Sequence, residues 1–534
     1  MPEIIIFNDC NGPLGFGRYA GPYRIATELR DNGFTVQVIE FFGDMSPSEV
    51  ESVIDAKVTK ETLWVGFAST LLSQHLSHKE ELEMWLTPPM GNPGQLSEIW
   101  VTLFPHTDKQ MTGFLDKIKT INPKCKIVVG GYKALVKEFT GVDYWILGQG
   151  EEAAIAVSKH LKYGTELNTL QIEGSNVITD KMYEYKDFNN SKIKWHKSDL
   201  LTPGEHLPIE TARGCIFKCA FCAYNLNGKK FGDYTKNAYT LREELLYNYE
   251  HFGTTDYMVS DDTINDSLTK VQYLHNVITS LPFKISISGY LRVDIIAAQT
   301  EMIRLLYEMG LSSANFGIET FNKKAGSLIG KGADPGLIKE TLFRLQDEWG
   351  DDVFTSGNFI VGLPSESKES VKETFEWLHR PDLPLHAIGV TRLYVKQYNR
   401  SITPVNISDE NMIKYGFRKL DDGWMYNNSS KILDDSKKYD IDINYLDGMT
   451  WSSNHMTAQE AEQLVSDFYK DPRNSHKKFS LTGFVVYNRM RNLGYTKEKI
   501  AHMCSDDPKV VVEAVNLRRN LKSEYMRKLL INKV

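Results

Sequence analysis

Short apolar runs recur along this chain, separated by helical patterns, and the series is played twice. EIIIF (3–7), TVQVIEF (35–41), LWVGFA (63–68), KIVVGG (126–131) and DYWILG (143–148) are apolar at nearly every position. A run without polar alternation suits a strand buried on both faces, as in a parallel sheet. Residues 19–31 carry a helical pattern stopped by Asn32 and Gly33. In 108–122, Met111, Phe114, Leu115 and Ile118 fall at i, i+3, i+4 and i+7, and Pro123 ends the segment. This alternation predicts a Rossmann-like, doubly wound α/β domain over residues 1–170, with ligands at the carboxyl ends of its strands. Residues 73–105, with TPPMGNPGQ, break the pattern and read as an insertion.

The alternation restarts near residue 205. Strands are predicted at 207–211, 256–260, 284–288, 313–318, 356–362 and 386–392, with helices such as 240–251, 300–309 and 335–348 between them. Six βα units in series predict a (βα)6 partial barrel of TIM type over 195–395, its active site at the carboxyl ends of the strands. In 396–534 the pattern changes to aromatic and Asp/Asn-rich loops that lead to helices. TAQE (457–460) is a capping box, with Ala461, Leu464, Val465 and Phe468 following on one helix face, and a second helical region starts near 507. A mainly helical C-terminal domain covering the active-site mouth is expected.

At 534 residues the chain exceeds a single core, and two or three domains are expected. Its formal net charge of −7 argues against coating nucleic acid through bulk positive charge. Arg518, Arg519, Lys522, Arg527 and Lys528 near the end read as a solvated basic face rather than a nucleic-acid contact. No uncharged run approaches the roughly 20 residues of a membrane span. The apolar run Ile4–Phe7 is too short for a signal peptide, and Cys10, Cys125 and Cys504 are scattered singly. A reducing, cytoplasmic setting is expected.

The other three of the six cysteines lie together in TARGCIFKCAFCAYN (211–225), directly after the first predicted barrel strand. Cys215, Cys219 and Cys222 have the spacing Cys-x3-Cys-x2-Cys, which can close around one soft metal centre. An electron-transfer cubane covers each of its four irons with a cysteine, so three cysteines leave one iron open. The alternative is a structural zinc site completed by His206 or His251.

The motif resembles that of the radical S-adenosylmethionine (SAM) enzymes, with Phe221 at the aromatic place before the third cysteine. The resemblance implies a [4Fe–4S] cluster on the three cysteines, with SAM chelating the open iron. It further implies reductive cleavage of SAM to a 5′-deoxyadenosyl radical, with an electron donor such as flavodoxin or ferredoxin. Further matches follow in register. SDDTIND (260–266) offers Asp261 or Asp262 to the SAM amino group. YLRVD (290–294) offers Arg292 to its carboxylate, and FGIETFN (316–322) offers Glu319 to its ribose. FIVGLPSES (359–367) places Gly362 and Leu363, with Phe221, beside the adenine. Each has a bland alternative: an Asx turn, a surface ion pair or a plain βα turn.

An α/β domain ahead of such a barrel is similar to the cobalamin-binding subgroup of the family. VVGGYKAL (128–135) and DYWILGQGEEA (143–153) resemble its glycine turns, which makes Gly130, Gly131, Gly148, Gly150 and Glu151 candidate cobalamin contacts. The same glycines also serve as plain strand-to-helix turns. The chain lacks the Asp-x-His-x-x-Gly motif that supplies a cobalt ligand, and His75, His78 and His106 read as surface residues rather than ligands. Too few cysteines remain for a second cluster. The resemblance implies cobalamin-dependent methylation of an unactivated carbon. The alternatives are a cobalamin-independent radical rearrangement, cyclisation or oxidation, or, from another class, a non-catalytic cluster or SAM-binding protein. The substrate is not readable.

Overall fold

The computed structural model describes residues 1–8, 18–68, 106, 108–131, 141–172, 175–179, 182–183, 188–202, 204–222, 234–393, 395, 407, 411–424, 449–474, 491–492, 494 and 508–531. The predicted insertion at 73–105, His75, His78, Cys10 and Cys504 lie outside the described residues.

The first half runs β1 (Ile4–Phe7), α1 (Ala20–Asp31), β2 (Val36–Ile39), α2 (Pro47–Lys57), β3 (Trp64–Ala68), α3 (Asp108–Ile121), β4 (Lys126–Gly131), β5 (Tyr144–Leu147), α4 (Glu151–Tyr163), β6 (Leu170–Ile172) and β7 (Ser175–Thr179). These strands form one seven-stranded sheet in the order β2-β1-β3-β4-β5-β7-β6. β1 to β5 pair in parallel, as their two-sided apolar runs predict. The strand order reverses between β1 and β3, which opens a crevice at their carboxyl ends. The sheet continues to Thr179, past the boundary expected at 170, because β6 and β7 form an antiparallel edge.

The second half runs β8 (Leu207–Ile209), α5 (Ala238–Phe252), β9 (Asp256–Val259), α6 (Leu268–Thr279), β10 (Ser286–Leu291), α7 (Val293–Ala298), α8 (Glu301–Glu308), β11 (Leu311–Glu319), α9 (Lys323–Leu328), α10 (Pro335–Trp349), β12 (Phe354–Val361), α11 (Lys368–Leu378) and β13 (Ala387–Arg392). Its six strands are hydrogen-bonded in chain order and all in parallel, an open partial barrel.

The described C-terminal segments are split between the two halves. β14 (Arg418–Trp424) and β15 (Met449–Ser452) make a two-stranded ribbon, so this part is not helical throughout. α12 (Ala458–Lys470) starts from the predicted capping box, in which Thr457 accepts from Glu460 N and the Glu460 carboxylate accepts from Thr457 N. It packs against β12 and β13, with the Tyr469 hydroxyl on Val390 of β13, while Phe468 meets Phe375 of α11. α13 (Pro508–Ile531) instead packs on the N-terminal domain. Its Tyr525, Met526 and Leu529 are buried in the same apolar cluster as Phe7, Phe42 and Val65. The Tyr525 hydroxyl accepts from Glu40 N at 3.0 Å and donates to Val38 O at 3.4 Å.

His106 is also part of that core and not at the surface. It is buried, bonds Phe42 O at 3.1 Å and meets the Phe42 and Phe114 rings edge-on. Burial pushes its pKa down to about 4, which keeps the ring neutral.

Candidate functional site

Each sheet ends its strands on the same space. A cavity of about 560 Å3 is lined from the N-terminal domain by Gly130 and Gly131 at the end of β4, and by Gly148, Gly150 and Glu151 where β5 turns into α4. From the barrel it is lined by Ala212, Arg213 and Gly214 after β8, and by Ser260 and Asp262 after β9. A volume of this size lies in the range of small-molecule sites. All five N-terminal residues marked as cobalamin candidates therefore fall on one wall, next to the loop that carries Cys215.

Glu151 has a second engagement. It is buried, and its Oε1 lies 2.7 Å from Arg213 Nη1 and 4.0 Å from Arg24 Nε. Arg213 also forks onto Glu210, at 2.9 Å from Oε2 and 3.0 Å from Oε1, and donates to Gln149 Oε1 at 3.2 Å. Burial opposes ionisation of Glu210, yet Arg213 holds its carboxyl below the ordinary range. Charge spacing gave no sign of this network. The nearest signal is an arginine set two residues before the first cysteine.

The cysteine turn is held by backbone bonds. Ala220 N donates to Ile329 O at 3.1 Å, Ile407 N donates to Ala220 O at 2.8 Å, and Cys222 N donates to Cys219 O at 3.0 Å. Cys215 is buried, Cys219 and Cys222 are half-buried, and none is in a disulfide. Cys215 Sγ lies 3.7 Å from Thr263 Oγ1, and burial raises its thiol pKa. Among the described residues no three Cys, His, Asp or Glu side chains stand close enough together to hold a metal ion, the three cysteines of the turn included. His206 is engaged elsewhere. Its Nδ1 pairs with Asp256 and its Nε2 lies 2.5 Å from Ser288 Oγ, at the amino ends of the strands. His251 Nδ1 pairs with Tyr247 O within α5. The turn thus carries three cysteines outside any disulfide and no histidine, residue types suited to an open iron–sulfur cluster.

Arg292 is buried against this turn. Its Nη1 donates to Cys219 Sγ at 3.5 Å, its Nη2 to Gly330 O at 3.3 Å, and its guanidinium lies 3.9 Å over the Phe217 ring. Asp294 takes two further bonds, at 3.0 and 2.5 Å. The guanidinium is thus positioned on the cysteine sulfur and its own acid partner. Phe221 is half-buried and packs against the main apolar core.

The two aspartates of SDDTIND separate. Asp261 is buried and accepts from Thr211 N at 2.9 Å and Ala212 N at 2.8 Å, with Lys270 Nζ 3.0 Å away. It ties the cysteine loop down. Asp262 is half-buried and lines the cavity, and burial with the Asp261 charge beside it raises its pKa to about 6. Asn265 exchanges two bonds of 2.8 Å with the Arg292 backbone and locks the β9 loop to the β10 loop.

Glu319 ends β11 with φ +70°, and its Oε1 is 3.1 Å from Lys331 Nζ, a partner absent from the predicted set. Gly362 has φ +90°, and what approaches it closely is the indole of Trp451. A Cβ there would stand 2.3 Å from a Trp451 ring carbon. Leu363 is buried. Its backbone N, with Gly362 N, donates to Glu366 Oε2, while Thr320 Oγ1 donates to Glu366 Oε1 at 2.7 Å.

Comparisons with known proteins agree with this geometry. The radical SAM superfamily profile matches residues 209–378. The chain is 24% identical over 287 residues to an anaerobic magnesium-protoporphyrin IX monomethyl ester cyclase of Cereibacter sphaeroides, covering 49% of this chain and 46% of that protein. It is 23% identical over 282 residues to an uncharacterized methyltransferase of Pyrococcus horikoshii, covering 50% and 60%. The matches thus span about half the length of the curated relatives. Among solved structures, the radical SAM methyltransferase TsrM of Kitasatospora setae, with tryptophan and a SAM analogue bound, superposes with TM-score 0.59 at 15% identity, over 92% of this chain and 96% of that one. The cobalamin-dependent SAM radical enzyme OxsB, with aqua-cobalamin and SAM bound, gives 0.53 at 13% identity over 99% and 80%. At these identities the likeness is one of fold.

Proposed function

Residues 209–378 are a radical SAM domain, and from that premise we propose that the protein is a radical SAM enzyme that methylates an unactivated carbon with the help of cobalamin. Cys215, Cys219 and Cys222 hold one [4Fe–4S] cluster, SAM binds beside it, and the cavity takes cobalamin. The observation that carries this reading is the shared cavity: Gly130, Gly131, Gly148 and Gly150 line it together with Gly214 and Asp262. Glycines allow a close approach of backbone to a bulky ligand. When bound, the cluster supplies the electron that cleaves SAM, and cobalamin carries the methyl group.

The chain's residues position and exclude. Arg292 sets a positive charge against Cys219 Sγ. Asp262 presents a carboxyl to the cavity, where it accepts from an ammonium group. Glu319 offers its carboxylate to ribose hydroxyls, steadied by Lys331. A reductant of the flavodoxin or ferredoxin class delivers the electron. Among the described residues no helix is long and apolar enough to cross a membrane.

Anaerobic purification with iron, sulfide and cobalt analysis tests this reading. The expected result is four irons per chain, bound cobalamin, and 5′-deoxyadenosine or S-adenosylhomocysteine from SAM and reductant. A triple Cys→Ala protein that kept its iron and its SAM cleavage would overturn it. A second reading, cyclisation, draws on the relative named as a cyclase. Methyl transfer from labelled SAM to product separates the two.

A further inference from the structure

A buried cation is aimed at one of the three cysteine sulfurs. Arg292 directly follows β10, and its side chain is 7% exposed. Its backbone N donates to Asn265 Oδ1 and its backbone O accepts from Asn265 Nδ2, each at 2.8 Å. The guanidinium is divided between partners edge by edge. Asp294 takes the edge made by Nε and Nη2, at 3.0 and 2.5 Å. The opposite nitrogen, Nη1, donates to Cys219 Sγ at 3.5 Å. Nη2 also donates to Gly330 O at 3.3 Å, and the Phe217 ring centre lies 3.9 Å from the guanidinium carbon. Asn265 and Asp294 stand outside the cysteine turn, so they fix the cation without relying on how the three sulfurs are arranged.

This placement has a redox consequence. The reduction potential of an iron–sulfur centre is set by its net charge, by hydrogen bonds to its sulfurs and by solvent exposure. One electron from a reductant of the flavodoxin or ferredoxin class adds one negative charge to a centre that has Cys219 among its ligands. A charged N–H donor on that sulfur therefore stabilises the reduced form more than the oxidised form. Asp294 carries the opposing charge, but the fork holds it on the far edge of the guanidinium from Nη1. The sulfur thus meets the positive end of the pair. Arginine keeps its proton in any protein setting, so the effect does not switch with pH.

We propose that Arg292 acts through Cys219 to raise the reduction potential of the cluster, and so eases its one-electron reduction by the donor. Arg292 is then a positioning residue for electron entry, a role distinct from pairing with the SAM carboxylate. This rests on the cluster part of the proposed function. The test is a potentiometric titration of the SAM-free, cluster-loaded full chain, followed by electron paramagnetic resonance of the reduced form. Arg292→Met should move the midpoint negative by about 59 mV or more, a tenfold change in the equilibrium constant for one electron. Arg292→Met combined with Asp294→Asn removes the pair without changing the net charge and strands no buried acid. Its midpoint should also fall below that of wild type. A four-iron double variant with a midpoint at or above the wild-type value overturns the proposal. Weaker SAM binding with an unmoved midpoint does the same, and assigns Arg292 to SAM. Where neither variant folds, wild type labelled with 15N in its arginine guanidino groups decides. A 15N coupling to the reduced cluster is expected, and its absence overturns the proposal. Wild type that assembles no cluster overturns the underlying reading instead.

Discussion

Arg213 Nη1 and Glu151 Oε1 stand 2.7 Å apart and join the cysteine loop of the barrel to the first turn of α4 in the N-terminal domain. Both side chains are largely buried, and Arg213 is shared with Glu210. Removing the arginine strands two carboxylates, whereas neutralising Glu151 leaves the arginine its acid partner Glu210 and its bond to Gln149. Arg213→Ala should cost about 3–5 kcal/mol and Glu151→Gln about 1–3 kcal/mol. Urea denaturation of the two variants checks the order. A smaller loss for Arg213→Ala would contradict it.

Asp261 and Asp262 should respond in opposite ways. Asp261→Asn weakens two backbone contacts and unbalances buried Lys270, and should lower stability by about 3 kcal/mol. Asp262→Asn should stay within about 0.5 kcal/mol of wild type and instead lose SAM affinity. Thermal melts with and without SAM read both effects in one experiment.

Gly362 has room for no side chain while Trp451 is present. Gly362→Ala combines a positive φ with a 2.3 Å clash and should cost about 3 kcal/mol or more. In a Trp451→Ala background the same change should cost only about 1 kcal/mol, the backbone strain that remains. A double-mutant cycle on melting temperature measures the difference.

Glu366 makes stability depend on pH. Burial raises its pKa to about 7, against an ordinary value of 4.5. Between those values the native carboxyl holds a proton that the unfolded chain has released. Its contribution is therefore complete below pH 4.5 and is lost as pH rises through 7, a change of about 3 kcal/mol. Glu366→Gln removes that dependence, so its stability relative to wild type should improve by about that amount from pH 5 to pH 8. Glu40, also raised to about 7 by burial, is present in both proteins and cancels. A flat difference across this range would refute the assignment.

The parallel strands of the first sheet were legible because they are buried on both faces and apolar at nearly every position; the barrel strands, which carry Ser288, Asn315 and Asn358, were legible from their regular alternation with helices. β6 was not, since its three residues are all exposed and carry no such signature. The cysteine turn and the glycines were legible from spacing, and Gly130, Gly131, Gly148 and Gly150 line one cavity with Gly214, the residue before Cys215. What each acid does was not. Asp261 and Asp262 are neighbours with the same chemistry, and only the position of Thr211 and Ala212 makes one an anchor and leaves the other facing the cavity. The burial of His106 and the docking of Tyr525 on β2 depend on contacts between residues far apart in sequence, which no local pattern encodes.

The last helix fills a gap in the first domain, with Tyr525 seated beside Glu40. Synthesis runs in one direction, so the core around Phe42 stays unfinished while the ribosome adds the more than 400 residues between. At about 5–20 residues per second that wait lasts roughly half a minute or more. The N-terminal domain thus reaches its final packing only after the barrel has been made, and its closure waits on the helix that carries Tyr525.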